Sequence, residues 1–486
     1  MATLQVSPEF YIAALPVFIV TAASLVAMLF PFLKVRSVGA HFFLGIVALV
    51  AALLAHFITT DASSFLGGAY LSESLAKLGQ VLILSIGLFV LILFRGSALS
   101  AFFFKSQSLS LFLMTLLGMM VMVASNDLVT LFVGLELSAI GLYVLVGYVY
   151  PNRSSLEGAI KYFILGSFAS AFLLFGFGLL YAGSSSLNLV EIFRHMDFVN
   201  RFWMYIGGLF VLIGLCFKLA LMPFHMWAPD AYESAPTGIT AFMATATKVM
   251  ILIVTLRLTQ GLDVISAQWM PTLTVLSFLS MIGANILALV QTSIKRMLAY
   301  SAIAHSGYMA VALCAMRFGQ DLPYQSILFY LIGYALTSLL AFGTLMWLED
   351  ETRQNLQVDD LKGLVKSHPW ASFALAAAMF SFAGMPPTVG FFGKFFIFNA
   401  ALREHLYLLV LTGVLGSVIS LYYYLRVVVF MYMHKPEEGV SFQPVRSWLT
   451  LGILGFAFSS VLALGTIFPE KVMNGLKPIT SFLSQR

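Results

Sequence analysis

The sequence predicts an all-α polytopic membrane protein with about 14 transmembrane helices, and three observations carry this prediction. The chain of 486 residues is 60% hydrophobic and only 10% charged, whereas about 25% of the residues of an ordinary soluble domain are charged. Its mean hydropathy is +0.95. Apolar windows close to the roughly 20 residues that a bilayer-spanning helix needs recur along the whole chain. These observations exclude a large soluble protein divided into domains.

Fourteen such windows follow one another. They cover residues 10–31, 38–59, 76–95, 107–125, 127–149, 159–182, 203–222, 238–258, 270–291, 297–317, 324–348, 370–401, 405–431 and 447–468. No positive charge precedes the first window, and it is longer than the apolar region of a signal peptide, so we expect a retained helix.

Lysine and arginine in the connections predict the orientation, because they are enriched in loops on the inner side of a membrane. With the N-terminus outside, the inward loops carry Lys34, Arg36, Arg95, Lys105, Arg153, Lys295, Arg296, Arg353, Lys362, Lys366, Lys435 and Arg446. The outward side then carries Lys77, Arg194, Arg201, Arg257, Arg317 and Arg403, with Lys471, Lys477 and Arg486 in the tail. This bias predicts that both termini lie outside.

Two windows are interrupted by prolines. The seventh continues into KLALMPFHMWAPDAYESAPTG (218–238), and the twelfth contains GMPPTVGFFGK (384–394). If windows 4–8 and 9–13 form two five-helix units, each break falls in the fourth helix of its unit. Units with an odd number of helices must be inverted relative to each other, and paired broken helices indicate an ion site near the midplane. Prolines also kink ordinary packed helices, but each break here is accompanied by a lysine.

The predicted division of the chain follows from these two units. Residues 1–105 hold helices 1–3, 106–260 the first five-helix repeat, 261–432 the second and inverted repeat, and 433–486 helix 14 and the tail.

Several charged side chains lie deep inside the windows, where a charge costs about 2.5–3.5 kcal/mol on insertion scales. The deepest are Glu136, Lys218, Lys248 and Lys394. Snorkelling to the interface does not fit Glu136 or Lys248, since either interface is about two turns or more away. It fits Lys161 better, because this residue is near the start of window 6 and Glu157 precedes it by one helical turn.

Buried lysines with a carboxylate are suited to a proton relay. Desolvation disfavours the ammonium form and a nearby carboxylate favours it, so a change in their separation loads or unloads a proton. His225 and His305 suit the gaps between lysines because neutral imidazole both donates and accepts. A lone histidine in a helix is also commonly a satisfied polar residue. The phenylalanines beside Lys394 are expected to desolvate its ammonium group.

Sequence motifs for redox or nucleotide chemistry are absent. The chain contains no Walker loop, no GxGxxG after a strand and no CxxC. Its two cysteines, Cys216 and Cys314, lie within apolar windows and are expected to be buried small hydrophobes. We therefore expect no metal site and no redox centre in this chain, which needs an ion gradient or a partner to drive it.

Five stretches resemble the antiporter-like subunits of respiratory complex I. These are GLELSAIGLYVLVGY (134–148), EGAIKYFILGSFASAFLLFG (157–176), FKLALMPFHMWAPDAYESAPTGITAFMATATK (217–248), QTSIKRMLAYSAIAHSGYM (291–309) and LKGLVKSHPWASFALAAAMFSFAGMPPTVGFFGKF (361–395). The last is similar to the subunit N branch of NADH–quinone oxidoreductase, with Lys394 where a sister subunit typically has a glutamate. The resemblance covers nearly the whole chain and is weaker over the first three helices and the tail.

The resemblance implies a proton channel within fourteen helices and two inverted repeats. The implied relay residues are Glu136, Lys161, Lys218, Lys248, Lys394, His225 and His305. In this family, Glu136 would pair with Lys161 or Lys218. Lys218 would be the central lysine of the first half, Lys248 the bridge between halves, and Lys394 the exit-side lysine of the second half.

The resemblance also implies partners and a location. NADH, FMN, iron–sulfur clusters and quinone would be bound by other subunits of the translocase, and this chain would contact other membrane subunits of complex I, including antiporter-like sister subunits, and no nucleic acid. We expect a multi-pass protein of the bacterial inner (plasma) membrane. Two alternatives stay open, namely a subunit of a multisubunit cation/proton antiporter with the same core motifs and a non-pumping structural membrane scaffold.

Overall fold

The computed structural model describes residues 8–59, 64–66, 69–104, 107–148, 153–194, 201–259, 263–316, 320–349, 355–436, 442 and 447–484. Nearly all of these residues are helical, as the sequence predicts. A short antiparallel pair of strands, β1 (Ser64–Phe65) and β2 (Tyr70–Leu71), lies between the third and fourth helices.

The helices are numbered in chain order. The N-terminal part contains α1 (Pro8–Ala13), α2 (Leu15–Leu29), α3 (Val38–Ala55), α4 (Ser74–Arg95) and α5 (Ser100–Phe104). Next come α6 (Ser108–Val123), α7 (Leu128–Val146), α8 (Arg153–Ser184), α9 (Leu189–Arg194), α10 (Arg201–Lys218), α11 (Trp227–Ser234) and α12 (Thr237–Thr259). They are followed by α13 (Asp263–Leu289), α14 (Ile294–Cys314), α15 (Leu322–Leu348), α16 (Leu364–Ser367), α17 (Pro369–Ala383), α18 (Val389–Arg403) and α19 (Tyr407–Met433). The chain ends with α20 (Trp448–Thr466) and α21 (Pro469–Ser484).

Each of the fourteen predicted windows is occupied by helix. Within the described residues, ten helices are long and apolar enough to cross a membrane, and four shorter apolar helices cover 15–29, 108–123, 202–218 and 369–383. The twelfth window is split into α17 and α18, as its prolines indicate. The tail forms a helix that apolar windows do not predict, because α21 carries Glu470, Lys471 and Lys477 and is amphipathic.

The two predicted five-helix units have the same packing partners. Helix α6 packs on α7 as α13 packs on α14. Helix α8 packs on both pieces of the first broken helix, α10 and α11, and α15 packs on both pieces of the second, α17 and α18. The last helix of each unit packs on the first helix of the same unit, α12 on α6 and α19 on α13. The exact residue boundaries of the units stay a prediction.

Helices α12 and α14 form the interior of the bundle. Nearly every side chain of both helices is buried. Ser293 precedes helix α14 as its N-cap, and its hydroxyl accepts from the backbone N–H of Arg296. The units meet where α12 packs on α15 and α11 packs on α14. Charged residues of α12 and α14 therefore face protein and not lipid, which is the condition under which they are tolerated.

Among the described residues, two of the charges used to predict the orientation are buried, whereas Lys105, Arg317, Arg353, Arg446 and Arg486 lie outside the described residues. Arg257, assigned to the outward side, is buried within α12, and Lys295, assigned to an inward loop, is buried at the start of α14. Each side loses one charge, so the direction of the bias is unchanged.

Candidate functional site

The first helix break joins the two units. Helix α10 ends at Lys218 and α11 begins at Trp227, with a cis peptide bond between Met222 and Pro223. The backbone groups that the break frees are bonded by side chains of the second unit. The Ser306 hydroxyl donates to the carbonyl of Leu219 at 2.7 Å, and the N–H of Met222 donates to the Ser280 hydroxyl at 2.9 Å. Protein side chains thus replace the hydrogen bonds that lipid cannot supply.

The second break is capped by its own lysine. Helix α17 ends at Ala383, and Gly384 follows in the left-handed conformation with φ of +80°. The buried Lys394 ammonium group donates to the carbonyls of Phe382 at 3.0 Å and Ala383 at 3.2 Å. A cation at these carbonyls is favourable because the C-terminal end of a helix carries partial negative charge. The two breaks differ here, since Lys218 precedes its break and Lys394 follows its own.

One of the phenylalanines beside Lys394 does not cover its ammonium group. Phe395 is 52% exposed and stacks on Phe391 at the outer side of α18. Neighbours in a helix point about 100° apart, so a residue next to a buried lysine faces elsewhere. The ring that covers the ammonium group belongs to Tyr308, with its centroid 4.8 Å from Nζ.

Lys248 lies at the junction of the two units. Its buried ammonium group donates to the carbonyl of Ala302 at 2.7 Å and to the hydroxyl of Ser306, both on α14. The Tyr334 ring centroid is 5.3 Å from Nζ. Because Ser306 also donates to Leu219, a single hydroxyl connects Lys248 to the break that follows Lys218.

His305 occupies the space between Lys248 and Lys394. Its Nδ1 lies 2.5 Å from the Tyr330 hydroxyl, and its Nε2 lies 3.2 Å from the Tyr424 hydroxyl. Its ring is 5.2 Å from that of Tyr334, which faces Lys248, and 5.7 Å from that of Tyr308, which faces Lys394. An imidazole between two hydroxyls and two lysines is well placed to pass a proton.

Lys218, at the end of α10, and Glu136, on α7, both lie near Tyr143 of α7 without touching each other. The Lys218 ammonium group is 3.4 Å from the Tyr143 hydroxyl. Tyr143 follows Glu136 by seven residues, which puts it on the same face about 10 Å along the helix. Glu136 forms no ion pair within the described residues, and its buried Oε1 has no hydrogen-bond partner there. The expected direct pairing of Glu136 with a lysine is therefore not formed in this conformation.

Lys161 belongs to a different cluster. Its side chain is 46% exposed and pairs with Glu157 at 2.7 Å and with Asp230 of α11 at 3.0 Å. Asp230 also pairs with Arg296 of α14 at 2.7 Å. Lys161 thus tethers α11 to α8 and lies apart from Glu136, because its local helical partner and the α11 carboxylate hold it.

His225 lies within the first break and is half-buried. Its Nδ1 is 3.3 Å from the carbonyl of Pro223, and its ring centroid is 6.4 Å from that of Tyr300. It contacts none of the buried lysines through a described hydrogen bond.

The structure therefore brings four of the seven predicted residues into one interior, with the connecting groups on α14, and these are Lys218, Lys248, His305 and Lys394. Glu136 lies near this interior on the same face of α7 as Tyr143, and Lys161 and His225 lie at the edge. The connecting tyrosines, namely Tyr143, Tyr330, Tyr334 and Tyr424, were not predicted. Their signal is a hydroxyl within an apolar window, which sequence patterns alone do not separate from membrane packing.

Comparison with known proteins places this arrangement in a family. The sequence model described as "NADH:quinone oxidoreductase/Mrp antiporter, TM" matches residues 125–420. NADH-quinone oxidoreductase subunit N of Paramagnetospirillum magneticum is 41% identical over 382 residues, 77% of each chain. The chain belongs to the subunit N family of NADH-quinone oxidoreductase. Subunit N 1 of Solibacter usitatus is 36% identical over 96% of each chain.

A solved structure agrees with this family. A chain of respiratory complex I from Thermus thermophilus is 30% identical, with a TM-score of 0.81, over 94% of this chain and 98% of that one. All seven predicted site residues lie inside the region that the family's sequence model matches. Cys216 and Cys314 are both buried, as expected. The described residues contain no group of three or more histidine, cysteine or acidic side chains that could hold a metal ion.

Gly384 offers a direct test of the subunit N site. A Cβ at this position would lie 3.0 Å from Cδ and 3.4 Å from Nζ of Lys394, and its φ of +80° adds about 1–2 kcal/mol of strain for an L-residue. We expect Gly384→Ala to displace the ammonium group from the carbonyls of α17 and to slow NADH-driven proton pumping in membrane vesicles. Gly452→Ala, where a Cβ has no atom within 4 Å, is the matched control and should pump normally. Normal pumping by an assembled Gly384→Ala complex would contradict the expected displacement.

Proposed function

We propose that this chain is a proton-translocating membrane subunit of NADH–quinone oxidoreductase. It moves protons through a relay of buried glutamate, lysine and histidine side chains, driven by electron transfer in other subunits of the translocase. The connected interior from Lys218 to Lys394, closed by hydrogen bonds to the carbonyls of two helix breaks, carries this proposal. A buried ammonium group has no structural need for a helix break beside it, whereas proton transfer needs polar groups that can rearrange.

Each residue has a role in the proposed relay. Glu136 on α7 sets the charge state of Lys218 at the end of α10 through the distance between the two side chains, since a carboxylate favours the ammonium form. Lys248 passes the proton between units through Ser306 and α14. His305 carries it to Lys394, the terminal lysine. Lys161 and His225 sit at the edge and would control access to this interior.

The relay proposal extends to partners and location. NADH, FMN, iron–sulfur clusters and quinone would be held by other subunits, and the chain would contact the remaining membrane subunits, including the antiporter-like sister subunits. We place it in the bacterial inner membrane with both termini outside. Two relatives with 36–41% identity are named subunit N of NADH-quinone oxidoreductase, which favours this function over that of a cation/proton antiporter subunit.

Removal of single relay residues tests the proposed function. Lys218→Ala and Lys394→Ala should each reduce the protons moved per NADH oxidised while the complex still assembles, because each removes one carrier and leaves the apolar packing intact. The assay is acidification or alkalinisation of sealed vesicles during NADH oxidation, with the amount of assembled complex measured in parallel. Normal pumping by Glu136→Ala, Lys218→Ala and Lys394→Ala would contradict the proposed relay. It would favour a non-pumping structural role for this chain.

A further inference from the structure

A buried carboxylate that the relay does not use lies where the two units meet. Glu349 is the residue after the last one of α15 and is 9% exposed. Both of its carboxyl oxygens lie close to the hydroxyl of Thr237 at the start of α12, at 2.8 Å and 2.6 Å. This contact could not be predicted from sequence patterns, because Glu349 directly follows an apolar window, as a loop residue would.

The hydroxyl does not neutralise this carboxylate. A threonine hydroxyl carries one proton, so it can donate to only one of the two oxygens at a time. Within the described residues, Glu349 forms no ion pair at 4.0 Å or less. Desolvation raises the pKa of Glu349 above its ordinary value, opposed by the charge of Lys295 and by the hydrogen bond from Thr237. A carboxyl shifted in this direction holds its proton to a higher pH than an exposed glutamate does.

The charged groups around Glu349 come from two helices. Lys295 of α14 is buried and donates to the carbonyl of Ala235, two residues before Thr237, at 2.9 Å. Glu233 of α11 also acts on Lys295 but is paired with Arg296 at 3.1 Å. A lysine and a carboxylate are therefore close but not joined, which leaves the proton on Glu349 sensitive to small movements of α11 and α14.

A line of polar groups leads inward from Glu349 between α12 and α15. Thr237 and Lys248 are 11 residues apart on α12, about three turns, so they lie on one face of this helix. The same spacing relates Glu349 to Ser338, whose side chain is buried. Tyr334 is one turn further along α15, and its ring faces the Lys248 ammonium group at 5.3 Å.

We propose that Glu349 is the carboxyl that loads protons onto Lys248 from the membrane edge, along the seam between α12 and α15. The inference rests on the proposed function, since it adds an uptake group to that relay. In the transfer the Glu349 carboxylic acid loses its proton and becomes a carboxylate. The hydroxyls of the seam, with water between them, pass the proton on, and the neutral Lys248 amine becomes an ammonium group. No oxidant or reductant takes part.

The test uses the whole complex in membranes. Infrared difference spectra recorded on titration should contain the C=O band of a protonated buried carboxyl, and this band should be lost in Glu349→Gln. Asp359→Asn is the matched control, because Asp359 is an exposed carboxylate that pairs with Lys362 three residues later. It should leave the band and pumping unchanged. Glu349→Gln should lose pumping, and Glu349→Asp should restore part of it, since aspartate keeps the ionisable group.

The outcomes separate this inference from the relay. The uptake role alone is overturned if the band persists in Glu349→Gln. It is also overturned if Glu349→Gln pumps normally while Lys248→Met is inactive. Normal pumping by both variants overturns the proposed function as well. Loss of the band together with loss of pumping in Glu349→Gln, with restoration by aspartate, supports the uptake role over a purely structural contact with Thr237.

Discussion

Replacing Lys248 with methionine should stop NADH-driven proton pumping. Lys248 is the only relay residue that contacts both the Ser306 bridge and the Tyr334 ring among the described residues. Removing an acid–base group costs about 10²–10⁴ in the rate of its proton transfer, so pumping should fall at least about 100-fold. The complex should still assemble, because methionine removes a buried charge at this position and adds none.

Arginine at the same position separates charge from proton transfer. Guanidinium stays protonated at any physiological pH, so Lys248→Arg keeps the cation and cannot release a proton. We expect it to be as inactive as Lys248→Met in the vesicle assay. Lys366→Met, which removes an exposed lysine, is the control for loss of one positive charge. Pumping by Lys248→Arg at the wild-type rate would show that only the charge of this side chain is needed.

Removing Arg257 should destabilise the fold more than removing one partner of any other ion pair described above. The Arg257 guanidinium is 3% exposed and donates to Glu73 at 2.7 Å and to the carbonyls of Val123 and Ser125 at 2.7 and 2.6 Å. Arg257→Ala leaves a half-buried carboxylate and two carbonyls without this donor. Breaking a buried pair by removal of one partner costs about 3–5 kcal/mol.

The measurement is the free energy of unfolding in mixed detergent micelles, compared across a double-mutant cycle. Glu73→Gln combined with Arg257→Ala should recover part of the loss, because the orphaned charge is gone. Lys362→Ala, which breaks the exposed pair with Asp359, should change the same free energy by no more than about 1 kcal/mol. Equal losses for Arg257→Ala and Lys362→Ala would contradict the burial argument.

The helices and their breaks were predictable because their signals are local. Apolar windows fix the spans, and the prolines at 223, 386 and 387 cannot donate within a helix. The pair of Glu157 and Lys161 is likewise local, one helical turn apart. The placement of Lys248 and Lys394 inside the bundle could be predicted from the cost of a charge at membrane depth, and their part in a relay stays a prediction.

The contacts between units were not predictable, because they depend on how distant segments pack. Ser306 meets a carbonyl 87 residues earlier, and Glu349 meets Thr237 across 112 residues. Arg257 has the sequence context of a loop charge, because its partner Glu73 lies 184 residues away in the chain. The periodicity of apolar residues does not predict such pairings. The burial of each polar group is explained only by its partner in a distant segment.

Ser306 has consequences beyond its place in the relay. Its hydroxyl proton has two acceptors within reach, the carbonyls of Leu219 at 2.7 Å and Ala302 at 3.1 Å, and it can point to one at a time. When Lys248 is an ammonium group it needs the lone pairs of Ser306 and leaves the proton for Leu219. A neutral Lys248 amine has a lone pair of its own and competes for that proton. In the proposed relay, the direction of the Ser306 O–H bond would therefore follow the protonation of Lys248, and the carbonyl of Leu219 at the first break would gain or lose a hydrogen bond with it.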